Sequence, residues 1–136
     1  VGLRGATTAA FGVDPDIGIA VDVTRTGDTP RSIKMEVGLG KGPAIKVRDS
    51  GMLADPRVVD WMVRKAEENK LPYQLEVLEA GTTDARVIQV SRAGVPAGCL
   101  SIPCRYLHSP SEMVDINDVQ NAVSLLVGLL RDSAPL

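Results

Sequence analysis

Two side chains in this sequence have the chemistry to do more than fill space. His108 is the only histidine. It stands in CRYLHSPSEMVD, residues 104–115, beside Arg105, Tyr106, Ser109, Pro110 and Glu112. An imidazole can ligate a metal or move a proton near neutral pH. Asp22 is the other. It interrupts an apolar run at 17–23, and a carboxylate set into a buried strand is costly unless it is paired or binds a cation. On residue type alone each keeps two readings. Asp22 is a metal ligand or a structural carboxylate with its hydrogen bonds satisfied. His108 is a functional group or a loop histidine bonded to its neighbours. No particular serine can be tied to His108, so no Ser-His-Asp constellation is assigned. A dinuclear zinc or cobalt centre needs roughly five or six protein ligands and a base for the water. These two residues are at most half of such a site.

The other candidates are weaker. GLGKGP (38–43) could let backbone approach a ligand closely, but the GxxxxGK[ST] phosphate loop is absent, and a flexible turn reads equally well. Asp84 in GTTDA falls in the first turn of a helix, where the helix dipole favours a carboxylate. Glu112 and Asp115 read as residues at a helix start, and Arg4 has no nameable partner. Cys99 and Cys104, if on one strand, lie about 16 Å apart and cannot bridge. They read as buried thiols in a reducing compartment, consistent with a cytoplasmic protein.

Composition narrows the classes. The 136 residues suit one domain with one core. The net charge of −2, with both signs interspersed, offers no basic face for nucleic acid or a membrane surface. Aromatics at 3% are too few for base-stacking platforms and few for a sugar-binding cleft. No apolar run reaches the roughly 20 residues of a membrane span, and no secretory signal is visible.

These residues must be positioned by strands alternating with helices. Residues 6–11 look helical, with Gly12 as a stop. Residues 17–23 read as a strand buried on both faces, the kind found in parallel sheets. A loop follows, with a short strand at 34–37, then a strand at 44–49. DPRVVDWMVRKAEENK (55–70) is the clearest helix, with Asp55 as N-cap and Pro56 at its first position. A strand at 73–80 and a short helix through 81–94, capped by Thr and stopped at Gly94, come next. GCLSIPC (98–104) reads as a buried strand. The last helix runs from Asp115 or Asn117 to Asp132, with Val119, Ala122, Val123, Leu126, Leu129 and Leu130 as its apolar stripe. This order implies an α/β sheet layered with helices. In such sheets sites gather at the carboxyl ends of strands, where Asp22 and His108 fall.

The ordered motifs VGLRGA, IAVDVT, DTP, LGKGPAI, GTTDA, AGVPAG, SIPCRYLHSPSEMVD and Asp118-Val119 together resemble the carboxyl-terminal part of a family of dinuclear metallo-aminopeptidases. This is the family of the glutamyl and tetrahedral aminopeptidases, often labelled cellulase M or endoglucanase. The resemblance covers nearly the whole chain in the right order. It implies part of an α/β/α sandwich of the zinc-exopeptidase type. It implies that Asp22 matches a ligand of one divalent metal, zinc or cobalt, and His108 a ligand of the other. It also implies that a histidine, a bridging aspartate and two adjacent glutamates, one the general base and one a ligand, stand upstream of Val1. On that reading residues 1–136 are the carboxyl-terminal part of a catalytic domain, without its upstream part and without an inserted oligomerisation domain. Peptides would be the substrate, the full protein would be a homo-oligomer, and this stretch alone would have little or no activity. A folded non-catalytic module is the alternative. An endoglucanase, with Asp22 and Asp84 as its carboxylate pair, is a third reading that needs no metal.

Overall fold

The computed structural model describes residues 2–134; the expectation attached to Val1 lies outside them. Helix α1 spans Arg4–Val13, β1 Gly18–Arg25, β2 Ala44–Arg48, α2 Pro56–Glu68, β3 Gln74–Val77, α3 Ala85–Gln89, β4 Ala97–Arg105, β5 Met113–Val114 and α4 Ile116–Arg131. The strands form one mixed sheet in the order β1-β4-β2-β3, with β5 on β4. β1 runs parallel to β4, with Asp22 beside Ser101. β2 runs antiparallel to β4 and parallel to β3.

Side chains alternate across a strand, and β4 shows how this builds two layers. Leu100 joins Ile45 and the inward faces of α2 and α4: Val58, Trp61, Met62, Ala122, Leu125 and Leu129. Its neighbour Cys99 joins Ala20, Ala85 and Ala97 on the α3 side, and α1 packs on α3. Helices therefore cover both faces, as an α/β/α sandwich requires. α2 follows its sequence signals closely: the Asp55 carboxylate accepts from the Arg57 amide at 2.9 Å, and Pro56 occupies the first turn.

Several expectations need correction. β1 is not buried on both faces. Among the described residues it pairs only with β4, so as an outer strand it leaves Val21 51% and Val23 37% exposed. Residues 34–37 form no strand; Val37 instead gives its carbonyl to the Gly27 amide at 2.7 Å, closing a loop. α1 runs past Gly12 to Val13 and is closed by Asp14 at φ 53. α3 is only five residues long, and its N-cap position is Asp84 rather than a threonine, with no side-chain cap bond. β5 was not legible at all.

α4 is also rotated from the expected stripe. Its buried side chains are Asp118, Ala122, Leu125 and Leu129, while Val123 and Leu130 are exposed. The cause is Asp118. Its two carboxylate oxygens accept the Gly40 and Gly42 amides, both at 2.7 Å. An ionised carboxylate that collects two amides inside the protein fixes which way its helix faces. The glycine loop is therefore structural. Gly42 sits at φ 94 and a Cβ there would lie 2.3 Å from the Pro72 carbonyl oxygen, so only glycine fits.

Candidate active site

Asp22 and His108 come from different elements and line the same pocket, whose volume is about 90 Å³. Asp22 is placed by the β1–β4 register, opposite Ser101. It is exposed, and one carboxylate oxygen accepts the Val23 amide at 2.8 Å. The carboxylate was expected to be buried in its strand; the outer position of β1 turns it towards the pocket instead. It therefore meets no desolvation cost that a partner would have to offset.

His108 lies in the turn that leaves β4. Its backbone is left-handed at φ 66, as is that of Tyr106 at φ 58. A non-glycine residue held there stores strain, which is found disproportionately at functional positions. The turn is held from two sides. The His108 amide donates to Glu112 Oε1 at 2.7 Å. Upstream, Arg105 makes a two-pronged contact with Asp28, Nε to Oδ1 at 3.1 Å and an Nη to Oδ2 at 2.8 Å. The Arg105 guanidinium and the Leu39 amide hold the Asp28 carboxyl well below the usual carboxylate range. Asp28 and Arg105 thus tie the 26–39 loop to the end of the strand that carries His108. Glu112, read from sequence as a helix-start residue, buttresses the histidine. Asp115 keeps that role, accepting the Asn117 amide at 2.8 Å as the α4 N-cap.

The opposite wall is the loop after β3, with Leu78, Ala80, Gly81, Thr82 and Thr83 on the pocket. The turn after β2 clips it in place. Asp49 Oδ1 accepts both Thr82 Oγ1 at 2.9 Å and the Gly51 amide at 2.8 Å, and Ser50 Oγ donates to the Gly81 carbonyl at 2.8 Å. Thr24 and Lys46 also reach the pocket. Lys46 is fully buried against Glu76, Nζ to Oε1 2.5 Å, and Thr24 donates to the same oxygen. Sequence reasoning missed this group. A Lys and a Glu in short strands look like solvent-facing alternation, and only the pairing register puts them together.

The remaining candidates fall elsewhere. Asp84 lines a different pocket, between α1 and β1, so it is not the second carboxylate of a site built on Asp22. Cys99 and Cys104 are buried free thiols; burial pushes the Cys99 thiol up, against hydrogen bonds from Ser101 and Thr83.

Asp22 and His108, both on one small pocket, are donor types that suit a divalent cation of the zinc group. The fit is partial: among the described residues no three His, Cys, Asp or Glu side chains cluster around one point.

The class the fold defines is a layered α/β domain with helices on both faces of one mixed sheet, and Asp22 and His108 line one pocket beside it. The chain belongs to the M42 glutamyl aminopeptidase family, whose profile matches residues 1–125. It is 55% identical over 127 residues to an Acetivibrio thermocellus protein named as an aminopeptidase, covering 93% of this chain and 38% of that protein. Among solved structures it superposes on an aminopeptidase of the archaeon Desulfurococcus kamchatkensis with a TM-score of 0.93 and 45% identity, covering 98% of this chain and 39% of the other. It is similar too to the dodecameric PhTET1 structure, with a TM-score of 0.82 and 31% identity, covering 96% and 38%. The chain thus spans under two fifths of the length of these relatives.

Proposed function

We propose that residues 1–136 carry part of the active site of a metal-dependent aminopeptidase, Asp22 ligating one of two divalent ions and His108 the other. The observation that carries this reading is that both donors line a single small pocket although 86 residues separate them in sequence (108 − 22). Bound zinc or cobalt ions would lower the pKa of a shared water and polarise the scissile carbonyl. The chain's own work is to hold the two donors: β1 presents the carboxylate, and the strained turn after β4 presents the imidazole. Leu78, Leu107 and the 80–83 loop form the walls of the pocket around them. The remaining ligands and the general-base glutamate come from sequence outside residues 1–136, as does any inserted oligomerisation domain. The substrate is a peptide with a free amino terminus. The full protein assembles into a homo-oligomer, in line with the dodecamer that its relative forms, and works in the cytoplasm. No helix among the described residues is long and apolar enough to cross a membrane.

The test is hydrolysis of a panel of aminoacyl-p-nitroanilides with added cobalt or zinc and a chelator control, paired with titration of each metal by calorimetry. The chain alone should bind metal weakly and turn over little or no substrate. Joined to its upstream sequence it should show chelator-sensitive hydrolysis that Asp22→Asn or His108→Gly each reduces at least 100-fold. Turnover that survives the chelator and both substitutions would overturn the reading.

A further inference from the structure

The floor of this pocket contains an ion pair that no ligand role requires. Lys46 on β2 and Glu76 on β3 have fully buried side chains. Taking two charges out of water costs several kcal/mol per ion, and a well-packed apolar pair in their place is often as stable or more so. The pair is therefore poorly explained by stability alone. Its second Glu76 oxygen, Oε2, is buried with no partner, which makes the arrangement costlier still. What the pair does accomplish geometrically is a connection. Glu76 Oε1 accepts Thr24 Oγ1 as well as Lys46 Nζ, and Thr24 is 1% exposed. Thr24 lies two residues beyond Asp22, so the two side chains leave the same face of β1.

Within residues 1–136 this connection supplements a strand ladder that β1 makes on one side only. Among the described residues its only strand partner is β4. An outer strand laddered on one side frays more readily than a central one. Asp22 sits on that strand, exposed, with only its neighbour's amide as a partner. A ligand that must be held within about 0.5 Å of its productive position cannot depend on a fraying strand.

We propose that the buried Lys46–Glu76 pair is a positioning device: through Thr24 it ties the Asp22 end of β1 to β2 and β3, and so fixes where the Asp22 carboxylate stands. Lys46 and Glu76 are positioning residues; they touch no substrate. The role given to the Asp22 carboxylate rests on the metal reading above. The mechanical part, a strand end held across the sheet, does not.

The experiment is site-resolved amide hydrogen exchange on the chain, with metal binding as a separate measurement. Thr24→Val is nearly isosteric and removes the donor. It should speed exchange of the Val23, Thr24 and Arg25 amides about tenfold while those of β4 residues 99–101 stay unchanged. Thr24→Ser should restore protection. A second variant guards against simple misfolding: Lys46→Met with Glu76→Leu replaces the pair by apolar groups of similar size. That double variant should keep or raise the thermal midpoint, yet still speed exchange at the end of β1. In the longer protein each loosening variant should weaken zinc binding about tenfold and shift kcat more than KM. Uniform loss of protection across the sheet would make the pair a structural element only and overturn the proposal, as would unchanged exchange at 23–25. If exchange responds but metal affinity does not, the strap is real and it is the ligand role of Asp22 that fails.

Discussion

At the scale of single residues, the ligand role proposed for His108 and the stability of its turn pull in opposite directions. Its φ of 66 is a conformation in which an L side chain costs about 1–2 kcal/mol and glycine costs nothing. The ligand role proposed for His108 would account for that strain, and the Glu112 carboxylate accepts the His108 amide in the turn. His108→Gly separates the two demands. Relief of strain stabilises the folded chain, while glycine's extra freedom destabilises it through the unfolded state by about 0.4–1 kcal/mol. The net is about 0–1.6 kcal/mol in favour of the glycine variant, read by a urea titration. Zinc binding should be lost in the same variant. A large fall in stability would instead place the imidazole in the packing. Residue types alone raised both Asp22 and His108 as candidates, since a carboxylate within an apolar run and a solitary histidine are legible anywhere. That they belong together came from the family resemblance and from both falling at strand carboxyl ends; residue types alone did not give it, because it depends on strand register and on two left-handed residues in one turn.

At the scale of elements, carboxylates bonded to backbone decide how pieces sit. Asp118 takes two loop amides at 2.7 Å while 1% exposed, and it lies in the first turn of α4 where the dipole favours its charge. Asp118→Ala would leave the Gly40 and Gly42 amides without their acceptor. The expected cost is about 3 kcal/mol, read by urea unfolding, with the 38–43 loop losing exchange protection first. This also explains why the α4 stripe was misassigned. Periodicity counts apolar residues, and here an acidic residue holds one of the inward positions, turning Val123 and Leu130 outward. The start of α2 was legible to the residue because its cap and its first-turn proline act locally, while its end falls at Glu68, two residues short of the expected Lys70. β5 was not, since two residues form a strand only where β4 offers an edge. The Asp28–Arg105 clip makes a further prediction, through pH. Asp28's pKa is lowered in the fold, chiefly by the guanidinium of Arg105. The unfolded chain therefore binds its proton more readily, and stability rises with pH across the interval between the two values. The contribution is fully present above an unfolded pKa of about 3.9 and is lost as pH falls below it. Asp28→Asn should be less stable than wild type at pH 7, and the difference should shrink steadily below about pH 4, measured by urea midpoints across a pH series. A difference that is constant with pH would mean the clip acts by packing rather than charge.

At the scale of the whole molecule, helices cover both faces of the sheet among the described residues, and β1 stands at one edge of it. The core on the α2–α4 side is large and continuous. The α1–α3 side is small, built mainly of alanines and Cys99, and beyond it β1 leaves Val21 and Val23 exposed while α1 leaves Phe11 and Val13 exposed. The alternation of strands and helices made the layers legible from sequence. The asymmetry was not, because an apolar run at 17–23 looks the same whether a strand is central or outer. Only the strand order distinguishes them. An exposed apolar outer strand is a template for pairing with another chain. As an isolated species residues 1–136 should therefore self-associate as concentration rises, through β1. Val21→Lys places a charge on that strand without disturbing a buried contact, and surface changes of this kind shift stability by roughly 0.5 kcal/mol or less. Light scattering across a concentration series should show less association for Val21→Lys than for the wild-type chain, with unfolding midpoints nearly equal. The matching control is Leu53→Lys, which changes a more exposed apolar residue (68% against 51% for Val21) away from β1. If both variants suppress association alike, net charge governs it. If only Val21→Lys does, the exposed β1 edge of the sheet governs it.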